Sequence, residues 1–288
     1  MPLNYEAVRS WQFAPVTRTY TATDTILYAL SVGVGFDATD TRQLRLVYED
    51  GLRALPTMAL VLGSPGLWLS DPRTGVDWRR MLHGEQRLVI HHPLPAAGSV
   101  VARNRVDGVV DKGEGRGALV YTTRDVHDAA TDLLLASQTS TSFCRADGGF
   151  GGPSASVYAA NPVPTREPDI TVDMPTLAQQ ALLYRLNGDL NPLHADPAAA
   201  ELAGFPRPVL HGLCTMGVAG VALLTAVCDS DPHRLRALDV RFSSPVFPGE
   251  TIRVSVWREA PGRAAFRAHV VERGACVLDN GSCAFVDG

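Results

Sequence analysis

The 288-residue sequence predicts an α+β fold made of two copies of one unit, each an antiparallel sheet wrapped around a central helix. Three observations predict it. The longest nearly continuous apolar stretch, Met216 to Cys228, reads as a buried helix, and after it apolar residues recur at every second position. A run of breakers, Gly148, Gly149, Gly151, Gly152, Pro153, Pro162, Pro164 and Pro168, divides the chain near its middle. Features of the first half also return in order in the second. Ile26-Leu27-Tyr28-Ala29-Leu30 answers to Leu182-Leu183-Tyr184-Arg185-Leu186 at an offset of 156 (184 minus 28), and Pro93-Leu94-Pro95-Ala96-Ala97-Gly98 answers to Pro245-Val246-Phe247-Pro248-Gly249-Glu250 at an offset of 152 (245 minus 93). The expected division is a first unit 1–155, a linker 156–172 and a second unit 173–288.

Taken in order, the first unit contains a glycine-rich stretch, Asp107 to Gly117, that lacks the GK[ST] ending of a phosphate-binding loop and is expected as a hairpin turn. The run Gly148 to Gly152 fails the dinucleotide spacing and belongs to the linker. In the second unit, Leu177, Ala181 and Tyr184 have helical spacing within Asp173 to Asn187, and Asn191-Pro192 breaks the chain after it. Asp196-Pro197 starts a short helix to Ala203, and the long apolar helix runs from about Gly212 to Cys228. Strands follow with Leu238, Val240 and Phe242 on one face, then Ile252, Val254 and Val256, then Phe266, Ala268 and Val270.

Composition narrows the function classes. With 26 basic against 30 acidic residues and no long run of one sign, an extended nucleic-acid footprint is not expected. The apolar stretch is shorter than the roughly 20 residues a bilayer span needs, and Met1 to Phe13 shows no secretory pattern. Five scattered cysteines without a Cys-x-x-Cys pair suit a reducing compartment, so a cytoplasmic location without membrane attachment is expected. The C-terminal residues are no peroxisomal address. His83 and the pair His91-His92 lack a second ligand pair at metal spacing and read as packed or solvated, and there is no Gly-x-Ser-x-Gly elbow.

Chemistry concentrates at Tyr184 to Pro197. Asp189 and His194 are five apart, a spacing that a continuous helix would splay by roughly 140°, but Asn191-Pro192 prevents that helix and can fold both side chains toward one water. The competing reading has Asp189 and Asp196 as turn and helix caps, and spacing alone does not separate the two. At the 156 offset, Asp189, Asn191 and His194 face Gly33, Gly35 and Ala38, whereas Asp196 faces Asp40. Groups needed only for the turn would persist in both copies, so the asymmetry favours chemistry in the second. Where the chain enters the long helix at Phe205 to Cys214, Gly212 can offer an unpaired N–H to a developing anion, and the same offset sets Pro56, without an N–H, opposite it. His211 taken singly reads as a packed, satisfied histidine.

The stretch Tyr-Arg-Leu-Asn-Gly-Asp-Leu-Asn-Pro-Leu-His-Ala-Asp-Pro at 184–197, followed by Ala203 to Thr215, resembles the hydratase 2 motif of MaoC-like, R-specific 2-enoyl-CoA hydratases. Weaker matches at Tyr20-Thr21 to Gly35, Leu82-His83-Gly84-Glu85-Gln86, Pro93-Leu94-Pro95, Asp111-Lys112-Gly113 and the Gly148 to Gly152 run extend the resemblance over nearly the whole chain. It implies a double hotdog fold and addition of water to a trans-2-enoyl-CoA to give the (3R)-3-hydroxyacyl-CoA. It further implies that Asp189 and His194 are the acid/base pair, that Asn191 orients the water, and that the Gly212 N–H polarises the thioester carbonyl. The first unit then makes room for the acyl chain. His211 and Leu213, flanking Gly212, are expected as substrate contacts. The expected partner is an acyl-CoA thioester, with no metal or redox cofactor, and the chain is expected to form a homodimer. A hotdog thioesterase or non-catalytic acyl-CoA binder is the alternative, since fold alone does not set function.

Overall fold

In the computed structural model, which describes residues 3–287, the alternating segments pair into one sheet. The first unit contributes β1 (Val16–Tyr20), β2 (Met81–Ile90), β3 (Gly98–Asp111), β4 (Ala118–Asp128) and β5 (Leu134–Cys144). The second contributes β6 (Ile170–Pro175), β7 (Leu235–Phe242), β8 (Thr251–Ala260), β9 (Arg263–Val270) and β10 (Ala275–Phe285). The order is β1-β3-β4-β5-β2-β7-β10-β9-β8-β6, antiparallel at every pairing. Exchanging each strand for its counterpart leaves this order unchanged, so a pseudo-twofold axis runs between β2 and β7. Register places Arg87 opposite Asp239, its own counterpart at the 152 offset, and an ion pair of 2.9 Å joins them. The chain is a double hotdog.

The helices are α1 (Tyr5–Arg9), α2 (Ala22–Ser31), α3 (Thr41–Leu44), α4 (Gln180–Tyr184), α5 (Pro197–Leu202) and α6 (Gly212–Val227). None is long and apolar enough to cross a membrane, among the described residues. α6 is apolar nearly throughout because all of it but Gly212, Leu213, Thr225 and Ala226 is buried, with the sheet around it and the first unit's α2 and residues 56–61 against it. Two glycines permit that approach. A Cβ at Gly217 would stand 2.6 Å from Val32 Cγ1, and one at Gly220 would stand 2.9 Å from Thr57 Cγ2.

The first unit has no helix equal to α6. At the corresponding place Pro56–Val61 forms a 3-10 segment that starts, like α6, at its first residue after an extended one, Leu55 matching His211. It stops because Gly63 takes φ +66°, in contact with Ala102, and Pro65 follows. The helix expected across Asp173 to Asn187 is confined to Gln180–Tyr184 with a 3-10 turn after it, and Ile170–Pro175 is strand β6 instead. There Asp173 and Arg253 join across β6 and β8 at 2.7 Å, and the second unit starts inside the segment expected as linker. The preceding glycine run is held down by Asp111, whose carboxylate accepts the N–H groups of Gly113, Gly149 and Gly151 at 2.7–2.8 Å.

Candidate active site

Asp189, Asn191 and His194 lie between α4 and α5. Asp189 Oδ1 accepts the Asn191 N–H at 3.2 Å, Asn191 Oδ1 accepts the Leu193 N–H at 3.1 Å, and Pro192 opens a single 3-10 turn that ends on His194. The capping role is therefore present, and it occupies one oxygen of each side chain. The pure cap recurs in the first unit, where Asp40 receives Arg42 N–H as Asp196 receives Ala198 N–H. The other three groups have no such repeat.

His194 points into the protein. Its Nδ1 lies 2.8 Å from the Val209 carbonyl, which can only accept, so Nδ1 carries the proton and Nε2 presents a lone pair. Burial holds its pKa below the usual histidine value, opposed by the Val209 bond and the Asp189 carboxylate. The imidazole is thus neutral at neutral pH. A carboxylate oxygen of Asp189 and ring nitrogens of His194 and His211 all lie within 4.8 Å of one another. A water at about 2.8 Å from two tetrahedrally placed partners separates them by about 4.5 Å, so the 4.8 Å cluster of Asp189, His194 and His211 is compact enough for one water to be shared within it. The rings of His194 and His211 stack at 3.7 Å with 26° between planes.

His211 differs from its expected role as a substrate contact. It is 1% exposed, with Nε2–H donating to the Asp189 carbonyl at 3.2 Å and Nδ1 buried without a partner. Burial, then the neighbouring His194, push its pKa down to about 4. It backs the His194 ring from inside rather than facing the open side. Leu213, in the first turn of α6, remains partly exposed beside Gly212. The Gly212 N–H opens α6 with no side-chain cap, and the residue is partly exposed. It is an orphan donor at the positive end of a 16-residue helix. A Cβ at Gly212 would lie 3.2 Å from the Phe242 ring, so packing also calls for glycine there.

The first unit supplies residues that the motif does not reveal. The His83 ring of β2 packs at 4.7 Å from Phe242, and burial pushes its pKa down to about 4. Ser31, ending α2, accepts Gln180 Nε2–H at 2.5 Å and Cys214 S–H at 3.4 Å on its carbonyl, while its Oγ accepts from Asn187 Nδ2 at 2.9 Å. Tyr184 stands 4.9 Å from His211 and 6.2 Å from Tyr28, its own counterpart at the 156 offset. Residues that meet their counterparts lie near the pseudo-twofold, so the site is built beside the axis from both units. The hint to His83 was its place in the Leu82 to Gln86 match; nothing local pointed to Ser31.

Residues 159–280 match the family model described as MaoC like domain, and residues 19–146 match the MFE-2 hydratase 2 N-terminal domain. The chain is 40% identical over 283 residues to 3-hydroxyacyl-thioester dehydratase Y of Mycobacterium tuberculosis, covering 95% of this chain and 96% of that protein. It is 40% identical over 281 residues to the peroxisomal enoyl-CoA hydratase 2 of Arabidopsis thaliana, covering 92% and 90%. Among solved structures, a MaoC-like dehydratase from Phytophthora capsici superposes with a TM-score of 0.87 at 35% identity, covering 99% of this chain and 100% of that one.

Proposed function

This chain belongs to the MaoC-like hydratase 2 family, and from that membership we propose how its own residues perform the family's reaction. It is a hydro-lyase: water adds to a trans-2-enoyl-CoA to give the 3-hydroxyacyl-CoA, and the reverse step removes it. Asp189 and the neutral His194 hold one water as acceptors, leaving an oxygen lone pair toward C3, with Asn191 helping to orient that water and its backbone N–H keeping Asp189 in place. As the C3–O bond forms, a proton passes from water to the pair and charge builds on the thioester oxygen, where the Gly212 N–H stabilises it. The same pair returns the proton to C2. Hydroxyl and proton then arrive on one face, and the 3R configuration is the outcome implied by the family to which the motif belongs. His211 fixes the His194 ring, Leu213 and His83 wall the site, and the first unit accommodates the acyl chain. No metal or redox cofactor takes part; the chain works in the cytoplasm as a homodimer.

The observation that carries this reading is the gathering of Asp189 and His194 within one 4.8 Å cluster, with one tautomer of His194 imposed by Val209. Incubation with crotonyl-CoA tests it. Loss of the conjugated double bond without free thiol is expected; thiol release would mark a thioesterase, and no change would mark a binder. Coupling to an S-specific 3-hydroxyacyl-CoA dehydrogenase should give no NADH, and robust NADH formation would overturn the 3R assignment.

A further inference from the structure

The inner face of the first unit is unlike that of the second. Under α6 the second unit presents Val254, Val256, Phe266 and Ala268, all buried. In the first unit the core segment ends at Val61, and Asn104, Thr122, Arg124, Gln138, Ser140 and Ser142 of β3, β4 and β5 line a cavity of about 110 Å³ instead. The rest of the lining is the segment 64–69, with Leu67 and Trp68 among its large apolar side chains, and Met81 of β2 next to β5 in the sheet. That space is several times the roughly 10–15 Å³ that one water needs. The cavity adjoins the reaction site: Ser142 pairs in register with His83, whose ring lies against Phe242, the neighbour of Gly212.

Arg124 is the charged group of this wall, and no carboxylate reaches it among the described residues. Its Nε–H donates to Asn104 Oδ1, and its Nη1–H groups donate to the Leu60 and Leu62 carbonyls, all at 3.2 Å. Gln138 donates to the Ala59 carbonyl at 2.7 Å. Closing the end of the 3-10 segment accounts for those bonds, but not for Arg124 Nη2, nor for Asn104 Nδ2, which is buried without a partner. Burial lowers the Arg124 pKa to about 10, so it stays charged at neutral pH. A cation taken from water calls for a counter-charge, and a guanidinium edge beside an amide N–H matches a carboxylate. We propose that the first unit's cavity receives a carboxylate at the far end of the acyl chain, which makes ω-carboxy trans-2-enoyl-CoA thioesters the favoured substrate class. This rests on the hydratase reading, which supplies the thioester end. The apolar side chains take the methylenes, and Arg124 with Asn104 takes the terminal group.

The test measures kcat/KM of the purified full chain on trans-2-enoyl-CoA series of matched length that end in methyl or in carboxylate, with crotonyl-CoA alongside. At the length that reaches the cavity, a preference of about tenfold or more for the carboxylate end is expected from one charge-assisted contact. Arg124→Met should bring that ratio close to unity. Because Arg124 also ties the 60–62 backbone, Ser140→Asp is the second variant: it gives the guanidinium an internal partner and should remove the preference in the same way. Equal rates, or a methyl preference at every length, with crotonyl-CoA still hydrated, overturn this proposal and leave the hydratase reading intact. Failure to hydrate any thioester overturns the hydratase reading itself. A rise in melting temperature with free glutarate, without any preference between the two series, would assign the cavity to an unattached anion and overturn the proposal.

Discussion

Gly212 joins two requirements that substitution can separate. Gly212→Ala brings a Cβ against Phe242 but keeps the N–H, whereas Gly212→Pro also removes the N–H at a first helical position that tolerates proline, as Pro56 does in the first unit. If the N–H polarises the thioester, kcat for the proline variant should fall a further hundredfold or so below that of the alanine variant; equal values would leave packing as the whole reason for glycine. Asp189→Asn and His194→Ala should each lower hydration by about a hundredfold or more while far-UV circular dichroism stays native. pH gives an independent check on the buried rings. His83 and His211 are pushed down to about 4, chiefly by burial, while in the unfolded chain they titrate near 6.5. Between those values the unfolded state binds protons that the native state does not. Stability therefore falls as pH drops from about 6.5 toward about 4, and the loss is complete below the folded values. Urea unfolding of the wild type and His83→Gln across that window should show the shallower decline in the variant.

At the level of elements, α6 depends on closeness to the first unit. Gly217→Val would drive side-chain atoms into Val32 and Tyr28, and overpacking of this kind costs about 1–3 kcal/mol; chemical denaturation should show a lower midpoint with an unchanged slope. Legibility differed among elements for physical reasons. The apolar run of α6 and the period-two strands after it announce themselves locally, since burial on all sides or on one face dictates residue type. Of the stretch Asp107 to Gly117 expected as a hairpin turn, only 112–117 turns between β3 and β4, while Asp107 to Asp111 continue β3 in pairing with β4. By contrast β6 was hidden inside a helical spacing, because an edge strand pairing with β8 is chosen by a partner some 80 residues away. The short core segment of the first unit could not be foreseen from symmetry, because its end depends on one left-handed glycine against Ala102. At the site, the loop of Asp189 to His194 was legible because polar groups stood where the other copy had none. That His211 is packed was legible too, since taken singly it reads as a packed histidine, whereas its stacking on His194 and the contact of His83 with Phe242 follow from tertiary packing.

For the whole molecule, the decisive contact is the seam between β2 and β7, where Arg87 meets Asp239. Burial pushes the Asp239 carboxyl up even with Arg87 beside it, so the pair adds little net stability as a pair while either group alone would be costly. Arg87→Asp should therefore destabilise the chain, and adding Asp239→Arg should recover part of the loss, with a coupling of about 0.5–3 kcal/mol in a double-mutant cycle. Independent effects of the two changes would show that the seam does not depend on their charges. The linker lies over the same place, its Tyr158 ring under the Arg87 guanidinium at 4.6 Å and its Ala159 carbonyl accepting from it at 3.2 Å. In an assembly of identical subunits, a residue on a twofold meets its own copy, and like charge faces like charge. Arg87 and Asp239 occupy equivalent places with opposite signs, a pairing open only to halves that have become chemically distinct. Two first halves brought together from different molecules would oppose arginine to arginine, and two second halves aspartate to aspartate, so the seam works as a polarity key that rejects exchange and admits one mate.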